Sequence, residues 1–309
     1  MKKIIILLTY VIASIFTTAC AAEKAPYIYV LGVVQDAGYP QTACYEKHCM
    51  PGWENPLLRR GAASLGVIDP SNDTKYMFEA TPNFPEQLYK LEKVAPSSKY
   101  TLNGVFITHA HIGHYAGLMY MGHEAAGMSN VPVYVMPKMK DYLINNGPWS
   151  QLVKYKNINL MPLQHNKPES LGQLKITPFL VPHRDEYSET VGYKISGPNK
   201  SAIFIPDINK WHEWETDLAD AVKEVDYAFL DATFYDDGEL PGRDMSKVPH
   251  PFVAETMKTL EHLSDSEKNK VWFIHLNHTN PLLNLESKER KFVKSQGFNI
   301  SVEGLKVEL

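Results

Sequence analysis

The stretch Val105–Leu118, VFITHAHIGHYAGL, constrains this chain more than any other. A short apolar run, Val105–Ile107, ends at Thr108, and His109, His111 and His114 follow at once. The run is rich in β-branched and aromatic residues and stops abruptly, which predicts a buried strand. Gly104 ahead of it and the H-x-H-x-G-H behind it mark turns. Histidines crowded at a strand end predict a metal held on a rigid edge. Neutral imidazole suits zinc and similar ions, and several ligands from one loop reduce the entropy lost when the site forms.

The same arrangement recurs further along. His183 follows Leu180-Val181-Pro182, Asp207 follows Ile203-Phe204-Ile205-Pro206, and His275 follows Val271-Trp272-Phe273-Ile274. One polar residue after a strand is ordinary turn chemistry. Several, added to the His109 loop, predict strands that each deliver one group to a shared edge, where loops shape a pocket.

His109-x-His111-x-Gly113-His114 resembles the H-x-H-x-D-H signature of the metallo-β-lactamase superfamily, with Gly113 where that family has aspartate. His183 matches the family's third metal-ligand motif, Asp207 its bridging aspartate and His275 its last histidine motif; His278 is an alternative or additional partner to His275. Pro182–Tyr193, Phe229–Phe234 and Phe273–Leu282 resemble the pyrroloquinoline quinone biosynthesis protein B branch in particular, although that branch usually lacks the H-x-H pair. The resemblance runs over nearly all of Tyr27–Leu309 and implies an α/β fold, an αββα sandwich, for residues 23–309. It implies the metal ligands His109, His111, His114, His183, Asp207 and His275. Zinc is the expected ion, with iron and manganese as alternatives. One position is complete: His109, His111 and His183, with Asp207 as fourth ligand or bridge and room for a water. A second, made of His114, His275 and the shared Asp207, lacks the carboxylate lost at Gly113. One tight ion and a weak or absent second are therefore expected.

A bound dication lowers the pKa of its water from about 15.7 towards about 7. The resemblance thus implies a metal-dependent hydrolase acting on a small ester, lactone or phosphodiester, with Asp207 orienting the nucleophile and taking its proton. His250, just ahead of a predicted helix, resembles in position a histidine of the ribonuclease Z and cyclic phosphodiesterase branches that protonates the leaving group. Asp231, Thr233, Asp185 and Glu186 are expected to touch substrate or to support the ligands. Two rival readings remain open. One is an iron-dependent oxidative enzyme like protein B, since imidazole and carboxylate suit iron as well as zinc. The other is a non-catalytic, metal-binding member of the fold.

Composition narrows the partners. With 309 residues, 44% hydrophobic and 21% charged, the chain can bury a sizeable core. Its formal charge of −4 argues against a nucleic-acid groove and leaves a small-molecule substrate as the expectation. Nothing in the sequence reports an oligomeric state. Lys2 and Lys3, the apolar run Ile4–Phe16 and the small residues up to Ala22 read as a signal peptide over residues 1–22, hence export to the periplasm or cell envelope. Ordinary cleavage after Ala21 or Ala22 competes with lipidation of Cys20, which would anchor the chain to a membrane without spanning it.

Cys44 and Cys49 lie in the turn-rich segment Gln35–Pro51. That segment resembles the cysteine-rich N-terminal region of protein B and of the phosphoribosyl cyclic phosphodiesterase branch, which carries a structural zinc. The lower cysteine count here leaves a disulfide, a zinc site and free thiols open, and adjacent His48 and Cys49 are awkwardly placed to aim at one ion.

Elsewhere the pattern predicts strands at Tyr27–Val34, Val133–Val135, Leu174–Val181, Thr190–Ile195, Ser201–Ile205, Tyr227–Leu230 and Val271–Ile274, and a hairpin of Ala63–Ile68 with Lys75–Glu79. Helices are predicted from Pro82 to about Lys93, and at His114–Gly122, Pro137–Asn145, Glu213–Glu224, Phe252–Leu263 and Leu285–Ser295. A short strand pair is expected at the end.

Overall fold

Strand-forming runs separated by short helices pair into two seven-stranded sheets among the described residues. The computed structural model describes residues 24–309; the expected signal segment 1–22, with Cys20 and the reading of export, lies outside the described residues. In chain order the strands are β1 (Tyr27–Gly32), β2 (Ser64–Asp69), β3 (Thr74–Phe78), β4 (Thr101–Phe106), β5 (Val131–Val135), β6 (Ile158–Pro162), β7 (Glu169–Leu171), β8 (Leu174–Leu180), β9 (Val191–Ser196), β10 (Ser201–Ile205), β11 (Tyr227–Asp231), β12 (Val271–Ile274), β13 (Asn299–Ile300) and β14 (Lys306–Glu308). One sheet runs β14-β1-β2-β3-β4-β5-β6 and the other β13-β12-β11-β10-β9-β8-β7.

Period-two alternation explains the layers. In β10, Ala202 and Phe204 join the core between the sheets, while Ile203 and Ile205 pack outwards. The outward face is covered by the helices Leu218–Lys223, Val253–Thr259 and Lys288–Ser295, whose Val222, Met257 and Val293 are buried against it. On the other side, Val105 and Val133 meet Phe84, Leu91, Met139 and Leu152 from the helices Phe84–Val94, Pro137–Asn145 and Trp149–Lys154. Each buried aliphatic or aromatic side chain contributes about 1.5–3 kcal/mol. Between the sheets Phe106 stacks on Phe78 at 4.8 Å and on Tyr134 at 4.3 Å, with Tyr193 edge-on at 5.6 Å. The buried Tyr193 hydroxyl donates to the Ile107 carbonyl at 2.6 Å, which ties the second sheet to the end of β4 just before the histidine loop.

Topology then fixes where the chemistry falls. Strands β10, β11 and β12 are mutually parallel, and β8 runs the same way because β9 is antiparallel to both β8 and β10. Their carboxyl ends therefore meet at one edge, the usual place for a site in such sheets.

Several expectations change. The expected terminal strand pair does not pair with itself: β13 adds to β12 in one sheet and β14 to β1 in the other. The helix expected at His114–Gly122 is a single α-turn, Ile112–Tyr115, continued as 3-10 turns over Ala116–Met121. Gly117 lies so close to the Thr81 carbonyl that a Cβ would stand 2.2 Å from it, and this close approach accompanies the tightened winding. The helices expected at Glu213–Glu224, Phe252–Leu263 and Leu285–Ser295 are shorter, beginning at Leu218, Val253 and Lys288 behind the N-caps Asp217, Phe252 and Ser287. Strands β6 and β7 went unread because they are half-exposed and carry no clean apolar run. No helix among the described residues is long and apolar enough to cross a membrane.

Candidate metal centre

His109 and His111 leave β4 in the loop before the turn Ile112–Tyr115, His183 follows β8, and Asp207 follows β10. The structure brings one atom from each together. His109 Nε2 lies 2.9 Å from His111 Nδ1, which lies 3.2 Å from His183 Nε2. Asp207 Oδ2 is 3.4 Å from His109 Nε2 and 3.3 Å from His183 Nε2. Four ligands at about 2.0–2.1 Å from a tetrahedral ion stand about 3.3–3.4 Å apart, so these donors fit a zinc-sized dication.

A second cluster abuts the first. His114 Nε2 is 3.6 Å from the same Asp207 oxygen, and its ring centroid is 5.3 Å from that of His275. His114, His275 and Asp36 each offer a ligand atom within 4.8 Å of the others. Twelve buried side-chain polar atoms lack an aligned hydrogen-bond partner among the described residues; His114 Nδ1 and Glu79 Oε1 face each other at 3.4 Å, and His114 Nε2, His275 Nε2 and Asp207 Oδ1 gather here beside them. Buried polar atoms are rarely left unpaired, so their clustering is the mark of a cation's place.

Every one of these histidines has its outer nitrogen facing a protein oxygen. His109 Nδ1 meets Thr108 Oγ1 at 2.9 Å, His111 Nε2 meets Glu186 Oε2 at 3.0 Å, and His183 Nδ1 meets Asn209 Oδ1 at 3.3 Å. His114 Nδ1 faces Glu79 Oε1 at 3.4 Å, and His275 Nδ1 meets Thr233 Oγ1 at 2.9 Å. Such partners fix ring orientation and raise ligand basicity.

His250 joins from the other side. Its Nδ1 is 2.8 Å from Asp231 Oδ2 and 3.2 Å from Asp207 Oδ1. Asp231 and Thr233 are fully buried and hold His250 and His275, so they are supports rather than pocket wall. Glu186 supports His111, and Asp185 accepts from Thr190 at 2.9 Å, fixing its own loop.

The electrostatics favour a cation. Burial opposes charge on His114, but Glu79, Asp207 and Asp36 outweigh it and raise its pKa to about 9. Burial likewise opposes charge on His250, and Asp231 with Asp207 raises its pKa to about 9. Burial and the neighbouring His114 keep His109 well below its ordinary value. Burial disfavours the Asp207 carboxylate, yet His250, His183 and His109 hold it well below the usual range.

His278 is elsewhere. Its ring lies 5.5 Å from that of His48, and it joins Cys44, His48 and Cys49 in a separate group whose ligand atoms all lie within 4.8 Å. His48 and Cys49, neighbours in sequence, do bring their ligand atoms within 4.8 Å of each other, although the Cys49 sulfur is bonded to that of Cys44. Cys44 and Cys49 form a disulfide with a Cα–Cα separation of 6.0 Å.

Three participants escaped the sequence reading: Asp36, Glu79 and Asn209. Glu79 ends the apolar strand β3 and Asp36 follows Val33-Val34-Gln35. Glu79 thus follows an apolar strand as His183 and His275 do, whereas Asp36 stands one residue beyond the first polar position, Gln35.

Two helix-flanked sheets with a histidine–aspartate centre at their shared edge define the metallo-β-lactamase fold. The chain belongs to the beta-lactamase superfamily domain family, whose match spans residues 67–276. It is 24% identical over 306 residues to the coenzyme PQQ synthesis protein B of Xanthomonas campestris pv. campestris (strain B100), covering 91% of this chain and 99% of that one. The crystal structure of Zn(2+)-bound PqqB from Methylobacterium extorquens shares the fold with a TM-score of 0.77 at 19% identity, covering 92% of this chain and all (100%) of that one. A diphosphatase of the PhnP family shares it with a TM-score of 0.63 at 21% identity, covering 93% and 98%.

Proposed function

We propose that this protein is a metal-dependent hydrolase of a small ester, lactone or phosphodiester. The observation that carries the reading is the convergence of His109, His111 and His183 with Asp207 Oδ2 at distances of 2.9–3.4 Å. Zinc is the ion we expect there, with His114 and His275 at an adjoining position. A dication held by these residues supplies a Lewis acid and an acidified water. The chain's own groups do the rest. Asp207 orients the attacking water, and its Oδ1, without an aligned hydrogen-bond partner, is placed to take a proton. Asp231 holds His250 Nδ1 at 2.8 Å, which leaves Nε2 to donate a proton to the leaving group. Arg184 and Glu186 stand side by side at the rim, so the pocket carries no charge preference that selects among these substrate classes. A location in the cell envelope rests on the sequence of residues 1–22 alone.

The coenzyme PQQ synthesis protein B relatives favour a second reading, a role in cofactor synthesis, and since the same imidazole and carboxylate ligands suit iron, we carry it as an iron-dependent oxidative enzyme. Metal identification on protein purified without added metal, followed by a panel of esters, lactones and phosphodiesters and by oxygen-uptake assays, separates the two. Zinc or manganese with turnover of one panel class is the expected result. Tight metal with no hydrolysis across the panel overturns it; iron with substrate-dependent oxygen uptake establishes the second reading instead.

A further inference from the structure

The loss at position 113 has a counterpart in space. A Cβ built on Gly113 would stand 2.5 Å from Asp36 Cα and 2.8 Å from Asp36 Oδ1. No side chain fits there while Asp36 keeps its place, and the side-chain atom it would meet is a carboxylate oxygen. We propose that Asp36 is the anionic ligand of the second metal position, with His114, His275 and the shared Asp207, and that Gly113 is bare because Asp36 occupies its space. The inference rests on the metal-centre reading above and deepens it at one residue.

Backbone pairing shows how Asp36 arrives. The Gln35 amide donates to the Leu276 carbonyl at 2.8 Å, and the Leu276 amide donates to the Val33 carbonyl at 2.9 Å. The segment after β1 is thereby laced to the residue after His275, so Asp36 and His275 are held side by side. Asp36, Glu79 and His275 have φ of 48°, 76° and 66°, in the left-handed region. Such conformations are costly for residues other than glycine and persist where the surroundings over-determine them. Three of the eight non-glycine residues with positive φ among those described thus surround one point. At that point His114 Nε2 and His275 Nε2 are buried without partners. A ligand set of two imidazoles and two carboxylates, one of them shared, is what a second zinc-type ion requires.

The expectation of a weak second ion rested on position 113 alone, and a carboxylate delivered by another loop removes its ground. The test counts ions, so it does not depend on any substrate. Wild-type protein, stripped and titrated with Zn2+, is expected to bind two ions; Asp36→Asn, nearly isosteric, is expected to bind the second at least tenfold more weakly and leave the first unchanged. The double variant Asp36→Gly with Gly113→Asp moves the carboxylate to the other loop and should restore the second ion that Asp36→Gly alone loses. Far-ultraviolet circular dichroism and melting temperature of each variant confirm that the fold is intact. One ion in wild type, or an Asp36→Asn titration that matches wild type, overturns the proposal. Selective loss of the second ion on Asp36→Asn, with no hydrolysis by wild type, would sink the hydrolase reading and leave this ligand assignment standing; loss of both ions would overturn the assignment.

Discussion

The two halves of the centre use the same side chains and are assembled in opposite ways. The first takes His109 and His111 from one loop and needs only His183 and Asp207 from elsewhere. The second takes Asp36, His114 and His275 from three loops far apart in the chain. Ligands that share a loop arrive together once its strand is in place, and their spacing is printed in the sequence. Ligands from separate loops depend on the closure of the whole sandwich, here on the lacing of residues 33–35 to Leu276. A gap in a local motif is therefore not a gap in the site, because a loop packed against it can refill the position.

The sharpest challenge to this contrast is Asp207→Ala. Its Oδ2 is the atom within reach of His109, His183 and His114 at 3.3–3.6 Å. Both ions should bind at least about a hundredfold more weakly, exceeding the effect typical of outer partners, and turnover should vanish with them. Loss of one ion only, measured by metal analysis after dialysis, would show that the two halves do not share this oxygen. His250→Gln comes next. It should reduce turnover by about 10²–10⁴ while both ions stay, since His250 touches Asp231 and Asp207 as a proton donor. Metal loss in that variant would make His250 a ligand and the two-cluster description wrong.

Glu79→Gln separates the halves more gently. Glu79 Oε1 faces His114 at 3.4 Å, its Oε2 accepts from the Thr108 amide at 3.4 Å, and the residue is fully buried. The second ion's affinity should fall by about 10–100-fold and the first ion's should hold. Isothermal titration of both sites in one experiment reads the difference; equal weakening of both would mean that Glu79 acts on the shared Asp207 rather than on one half.

How much of this was legible follows the same division. The histidine loop, the polar residue after each apolar strand and the strands Ser201–Ile205 and Val271–Ile274 were readable because short-range periodicity sets them. Asp36 and Glu79 were not singled out, since their importance lies in what packs against them. His278 was indistinguishable from His275 in the sequence, although the two residues face different clusters. The direction of the turn after β12, with His275 at φ 66°, sends one into the centre and the other towards His48. The terminal strands looked like partners because they are neighbours in sequence; the edges of two sheets, each lacking a strand, claimed one apiece.

A half-buried carboxylate outside the centre, Glu239, shows by contrast what the centre does to its acids. Glu239 accepts from the Tyr235 amide at 2.6 Å and from the Thr279 hydroxyl, and burial pushes its pKa up from 4.5 to about 7. Asp207 is buried, yet its histidines hold it far in the other direction. Folded protein thus keeps the Glu239 proton in a pH range where the unfolded chain has released it. Stability should fall as pH rises from about 4.5 to about 7 and then level off, by at most about 3 kcal/mol, since one pKa unit is worth about 1.36 kcal/mol. Glu239→Gln keeps both contacts, because the amide oxygen can accept from Tyr235 and the amide nitrogen can donate to Thr279. Urea unfolding of the two proteins at pH 5 and pH 8 isolates this one group from every other titration. The variant should gain on wild type at pH 8 and match it more closely at pH 5; an unchanged difference between the two pH values would mean that Glu239 is ionised in the folded protein, and that burial alone does not set the acids of this chain apart.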